Sequence, residues 1–333
     1  MILTVALLAI PTVSAKSKRK SSSKTVKVFI LAGQSNMEGH GKVENGRNPK
    51  YTGKNSGQKQ EIKGGIGCLR YLATNPKTAK KYKHLLDSSG KWVVRDDAYV
   101  YTTTRGKKSG KLTVGFGKGN WIGPEFAFGH ILADYYKEPI LIIKTAWGGH
   151  SLGVNFRPPS SGKPSYKYNG DVGASYRNMV SIVNDVCDNL GTHFPDLKGY
   201  KVDIVGFGWH QGWNDGCSKD MTAEYRKNMI NFIKDVRKEF KVAKLPFVIA
   251  NTGMIGRGGK GGIKTQLCQT QLDIGNPKKT PEFKGTVTSV ETRDFKKTKE
   301  ESPSGFGYHW NHNGESHYLV GEAMGKAMIK LLK

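Results

Sequence analysis

Acidic residues are scarce in this chain. Only 27 Asp and Glu stand against 53 Lys and Arg in 333 residues, a formal charge of +26 at pH 7. Such an excess concentrates anions at the surface and speeds their encounter in a salt-dependent way. Solubility alone also accounts for it. No recognisable nucleic-acid-binding motif accompanies the charge, and lysine is scattered rather than confined to one helix, so nucleic acid is not expected as a partner. Cysteine is sparse as well: Cys68, Cys187, Cys217 and Cys268 include no C-x-x-C pair and no nearby His cluster, which argues against a metal site. Their even number suits one or two disulfides in an oxidising compartment, with isolated buried thiols as the alternative.

Long apolar runs are missing too. The first fifteen residues, MILTVALLAIPTVSA, are apolar, but a membrane span needs ~20. Ending in Val13, Ser14 and Ala15, they read as a secretory signal peptide (1–15), and the Lys- and Ser-rich stretch after them as a basic linker (16–25). The expectation is a secreted or periplasmic protein with no membrane partner. The glycine-rich stretch from Thr252 to Gly262 lacks the Lys-Ser/Thr ending of a phosphate-binding loop, and no internal repeat is visible. No cofactor is expected.

What is present is organised around VKVFILAGQSNMEG, from Val26 to Gly39. Val28, Phe29, Ile30 and Leu31 run without polar alternation, as in a parallel strand buried on both faces. Chemistry in such sheets collects at the carboxyl ends of the strands. Gly33 permits a sharp exit, and the hydroxyl of Ser35 then stands where a base can meet it, the alternative on this stretch alone being a Ser that caps the next helix. Four further β-rich segments alternate with helical patterns: Pro139 to Lys144, Val202 to Trp209, Lys244 to Asn251 and Gly285 to Glu291. Helices are expected over Pro124 to Tyr136, Ser175 to Leu190, Thr222 to Phe240 and Glu315 to Leu332. This alternation predicts an α/β fold, a three-layer αβα sandwich with a mostly parallel, five-stranded sheet.

Two more strand ends carry polar turns: Trp147-Gly148-Gly149-His150 after the second segment, and His210-Gln211-Gly212-Trp213-Asn214-Asp215 after the third. Paired glycines let backbone N–H groups face a ligand, as an oxyanion hole requires. The stretch from about 40 to 120 is rich in Gly, Lys and Asn and reads as an insertion that roofs the site. Trp92, Tyr99, Tyr101 and Trp121 are its candidates for stacking on sugar rings.

Together, Gly33-Gln34-Ser35-Asn36-Met37, the Trp147-Gly148-Gly149 turn and His210-Gln211-Gly212 with Asn214-Asp215 resemble the sialate O-acetylesterase-like branch of the SGNH hydrolases. That branch includes the acetylxylan esterases of carbohydrate esterase family six. The resemblance runs from Val26 to the final helix, so 26–333 is expected to be a single esterase domain. It implies a flavodoxin-like fold and a metal-free removal of O-acetyl groups from a sugar or polysaccharide through a Ser-His acyl-enzyme. It also implies Ser35 as nucleophile and His309 as base, since His309, Trp310, Asn311 and Gly314 match the family's frame; His312 and His317 are rivals. The oxyanion hole falls to Ser35, Gly149 (or Gly148), Gln211 and Asn214, and substrate contacts to Gln34, Asn36, Trp147 and His210. Many SGNH enzymes place Asp three residues before the His, where this chain has Phe306; Asp294 is the expected substitute, with Glu301 and Glu291 as alternatives. The expected substrate is an acetylated polysaccharide or oligosaccharide, anionic if the charge serves binding rather than solubility. The competing expectation is a non-catalytic binder of such a polymer on the same scaffold.

Overall fold

The structure, a computed structural model, describes residues 24–50, 60–104, 106–258 and 261–333. The expected signal peptide and nearly all of the linker lie outside these. Nine strands and nine α-helices are described: β1 (Thr25–Gly33), α1 (Ser35–Glu38), β2 (Asn45–Arg47), β3 (Glu61–Lys63), α2 (Leu69–Thr74), α3 (Ala79–Tyr82), β4 (Ala98–Thr102), β5 (Lys108–Lys111), α4 (Pro124–Tyr135), β6 (Ile140–Ala146), α5 (Ala174–Asp188), α6 (Leu190–His193), β7 (Lys201–His210), α7 (Lys219–Glu239), β8 (Phe247–Ala250), α8 (Ile263–Ile274), β9 (Val287–Val290) and α9 (Gly314–Leu332).

The central sheet has seven strands in the order β5-β4-β6-β1-β7-β8-β9, and β2 pairs with β3 separately. All neighbours in the large sheet are parallel except β5, which runs antiparallel to β4 at one edge. The expected five strands are β1, β6, β7, β8 and β9, and they stand in the flavodoxin-like order 2-1-3-4-5. The count of five is corrected to seven because β4 and β5 come from the 40–120 stretch and extend the sheet beyond β6. Ala98-Tyr99-Val100-Tyr101-Thr102 is too short and too isolated among polar residues to announce itself as a strand. Tyr99 and Tyr101 are buried in the core and are therefore not sugar platforms.

β1 shows why the sheet is covered on both sides. Val26, Val28, Ile30 and Ala32 enter one apolar cluster with α5 and α7 residues such as Met179, Val183, Phe232 and Ile233. Phe29 and Leu31 enter the other, with Phe126 and Phe128 of α4 and Met324 and Met328 of α9. Successive side chains of a strand point to opposite faces, so a strand apolar at every position needs two helical layers. Pro124 in the first turn of α4 and Glu125 behind it suit a helix start, and the Asn313 side chain caps α9 by accepting from the Glu315 and Ser316 N–H groups.

All four cysteines are free thiols. Cys68 and Cys268 are buried in apolar surroundings, so the disulfide expectation gives way to the isolated-thiol one.

Candidate active site

Three loops converge where the chain reverses between β6 and β7 on either side of β1, the crevice in which open parallel sheets bind ligands. At Gly33 any Cβ would lie 2.2 Å from the His210 carbonyl oxygen. Glycine is therefore required for β1 and β7 to leave the sheet side by side. The Gln34 side chain then knits the two exits together, accepting from Gln211 Nε2 (3.3 Å), the Gly212 N–H (3.1 Å) and the Asn214 N–H (3.3 Å).

Ser35, Gly149 and His309 line one cavity of about 460 Å³, with Glu38, His40, Lys118, Trp121, Phe306 and His312. The Ser35 hydroxyl makes no hydrogen bond among the described residues. Gly149, at φ +76°, turns its backbone at the cavity rim. Neither the Ser35 nor the Gly149 N–H has an acceptor among the described residues. Gly148 N–H, by contrast, donates to Glu38 Oε1 at 3.0 Å, so of the two glycines Gly149 is the one left to serve an oxyanion.

His309 opens an unusual turn. His309, Trp310, Asn311 and His312 all have left-handed φ, between 47° and 60°. Such backbone costs L-residues roughly 1–2 kcal/mol each. It persists because its surroundings fix it. Trp310 is buried, stacked on His210 with ring centroids 5.5 Å apart, and Asn311 accepts from the Gly307 N–H at 2.8 Å. His312 Nδ1 meets Ser304 Oγ at 3.0 Å, and its carbonyl accepts from the Lys42 N–H.

Within the cavity His309 stacks on His40 at 3.8 Å, and its Nδ1 lies 2.7 Å from Asn36 Oδ1. Asn36 Nδ2 is turned to the Met254 sulfur. With the amide oxygen facing it, Nδ1 carries the proton and Nε2 keeps its lone pair. Burial, then His40, His312 and Lys118, push the His309 imidazole down from the ordinary 6.5 to about 3. His312, rival for the same role, is pushed down to about 4 by burial, then by His40, Lys42 and Lys118. His317 is wholly buried beneath the site and does not reach the cavity.

Several expected assignments are corrected. Asp294 forms a bidentate pair with Arg257, at 2.7 and 2.8 Å, and Glu291 pairs with Arg293 and Asn251. Glu301 accepts from the Thr298 N–H. Among the described residues none of the three is bonded to His309; the amide of Asn36 stands where a carboxylate was expected. Gln211 is buried and turned inward, donating to Gln34, the His150 carbonyl and, at 2.5 Å, to Asp215. Burial pushes that Asp215 carboxyl up to about 6 against these hydrogen bonds. Gln211 and Gln34 thus brace the loops rather than reach an oxyanion or a sugar. Asn214 is half-buried, bonded to Gln34 through its N–H, and stands outside the cavity wall. His210 is buried, with Nδ1 on the Ala250 carbonyl, and Trp147 packs on Phe156 and His150. Trp92 is tied to Glu44 and lies under Arg70, leaving Trp121 as the one expected aromatic on the cavity. Glu38 and His40 were not singled out: immediately after the Ser35 motif they read as ordinary polar surface residues.

A family model described as carbohydrate esterase, sialic acid-specific acetylesterase, matches residues 25–330. Among solved structures, a protein of Arabidopsis thaliana aligns at a TM-score of 0.55 and 15% identity, covering 92% of this chain and 98% of that one. A carbohydrate acetylesterase from Xanthomonas citri aligns at 0.46 and 15% identity, over 90% of this chain and 56% of that one. NanS aligns at 0.44 and 12%, over 81% and 78%. No curated protein sequence matches significantly.

Proposed function

The chain belongs to the carbohydrate esterase, sialic acid-specific acetylesterase family, and from that premise we propose that it removes O-acetyl groups from a carbohydrate through a Ser35 acyl-enzyme with His309 as its base. The observation that carries this reading is the meeting of Ser35, His309 and Gly149 in one cavity, although they come from three separate parts of the chain. His309 Nε2 takes the Ser35 proton as Oγ attacks the ester carbonyl, and the oxyanion is received by the Ser35 and Gly149 N–H groups. The sugar hydroxyl leaves with the proton from His309. Water, activated by the same imidazole, then hydrolyses the acetyl-enzyme. Asn36 holds the Nδ1–H tautomer throughout, a task that orientation accomplishes without a carboxylate. The apolar start of the chain supports action outside the cytoplasm.

The deciding experiment assays Ser35→Ala on a small acetyl ester and labels the wild type with a fluorophosphonate. Loss of hydrolysis by at least about 1000-fold, with labelling confined to Ser35, is expected. Undiminished hydrolysis would remove Ser35 from the mechanism, and an unlabelled wild type would favour a binding protein on the same scaffold.

A further inference from the structure

Beside the catalytic cavity lies a second depression of about 690 Å³, and the two share Lys118 and Trp121. Lys107 and Lys108 complete its charged wall, and among the described residues no carboxylate lines it. Most lysines near the site are neutralised: Lys42 pairs with Glu61, Lys144 with Glu125, Lys111 with Asp96 and Lys297 with Glu315. Lys107 and Lys118 have no carboxylate within 4 Å among the described residues, and Lys108 is spent on the Gly115 carbonyl at 2.6 Å. Lys118 Nζ stands 5.7 Å from the Trp121 ring centre. Two unneutralised ammonium groups in a depression edged by an indole suit a pyranose ring that carries an anionic substituent, the anion meeting the lysines.

Further aromatic rings border the catalytic cavity. Phe306 is 57% and Tyr308 48% exposed, and Tyr308 leans edge-on against Trp213 at 5.7 Å. Apolar rings left contiguous and exposed mark a contact surface. Trp121 and Phe306 both line the catalytic cavity and both pack on His312, so the aromatic surface runs past the site on Tyr308.

We propose that the depression walled by Lys107, Lys118 and Trp121 is a subsite for an acidic sugar neighbouring the acetylated one, so that the preferred substrate is an acetylated polyanionic polysaccharide. The proposal rests on the catalytic reading above for its location next to the acetyl group, and its test separates the two. Binding is measured in the Ser35→Ala background, where no turnover is needed, to O-acetylated dextran, carboxymethyl-dextran and dextran sulfate of matched acetyl content. The two charged polymers distinguish a carboxylate from a sulfate as the preferred anion. At low ionic strength at least one of them is expected to bind about ten-fold more tightly than the neutral polymer, a preference that Lys107→Gln/Lys118→Gln removes. In the active enzyme the same pair is expected to lower the charged-to-neutral ratio of kcat/KM by about ten-fold, a ratio from which any general loss of activity cancels. Lys238→Gln/Lys244→Gln removes two exposed charges, one in the last turn of α7 and one just before β8, at the amino edge of the sheet. That pair is expected to leave the preference in place. An unchanged preference in the first pair, or an equal loss in the second, would overturn the subsite, the latter by assigning the effect to the field of the whole molecule.

Discussion

The pairing of His309 with Asn36 is where this site departs from the arrangement expected of its family, and it has kinetic consequences. A neutral amide oxygen fixes the imidazole but adds no charge to stabilise the imidazolium, while burial, His40, His312 and Lys118 all oppose protonation. The His309 imidazole therefore stays neutral well into acid. The acid limb of kcat/KM on a small acetyl ester is expected to fall far below 6.5, toward about 3, and a limb near 6.5 would refute the burial argument. Asn36→Asp places a negative charge against Nδ1, favours the charged imidazole and moves that limb upward. Asn36→Ala is expected to lower kcat by about 100-fold with KM little changed, since only the orientation of the base is lost. A variant that raises KM and spares kcat would return Asn36 to substrate binding. Ser35 and His309 were expected from the resemblance that their sequence neighbours carry, and the structure brings both to one cavity. The group behind His309 was not legible. Asp294, Glu291 and Glu301 lie in suitable sequence range, but their arginine and backbone partners become visible only in three dimensions.

Among the elements, β6 does work that its apolar pattern concealed. Lys144 ends the run Ile140-Leu141-Ile142-Ile143 and reads as a strand's polar exit, yet its side chain is wholly buried. Its ammonium pairs with Glu125 at 2.8 Å and donates to the Glu38 carbonyl at 2.8 Å and the Phe116 carbonyl at 2.7 Å. One cation thus ties the end of α1, the loop that carries Lys118 and the start of α4 to the sheet. Burial pushes the Lys144 pKa down, and Glu125 opposes the shift. Lys144→Met strands a carboxylate in the core, which is expected to cost about 3–5 kcal/mol, while Lys144→Met/Glu125→Gln, with no unpaired charge, is expected to recover part of it. Urea denaturation of the three proteins with a common m-value measures this, and a double variant no more stable than the single one would contradict the stranded-charge explanation. Both variants are expected to hydrolyse ester more slowly, because the Glu38 carbonyl at the end of the Ser35 turn loses its donor. The strands β1, β6, β7, β8 and β9 were legible because continuous apolar runs have few alternatives. β4 and β5 were not, since an edge hairpin with polar Lys108-Ser109-Gly110-Lys111 carries little periodicity to read.

At the scale of the whole molecule, the scarcity of carboxylates leaves acid tolerance to the imidazoles. His130, His210 and His317 are buried, and burial pushes the first two down to about 4 and the third well below 6.5. His309 and His312 move in the same direction at the site. A histidine depressed in the folded state leaves the unfolded chain to take up the proton first, so its contribution is complete above 6.5 and is lost as the pH falls toward its folded value. Asp215 acts with the opposite sign: raised to about 6, it binds a proton in the folded state before the unfolded chain does and adds stability between about 6 and the ordinary carboxylate range. Burial lowers His150 as well, and one carboxyl against six imidazoles does not reverse the trend. The unfolding free energy is therefore expected to decline from pH 6.5 to 5, each fully buried imidazole contributing a slope of up to about 1.4 kcal/mol per pH unit. This window lies above the titration of ordinary carboxylates, so the loss belongs to histidine. Self-repulsion among the surplus cations adds to it at low salt and is screened at high salt, whereas the imidazole part persists. Denaturant titrations at pH 7.5, 6.5, 5.8 and 5, in dilute and concentrated salt, separate the two. Stability that stayed flat across that interval in concentrated salt would mean that these imidazoles gain protons without opening the core.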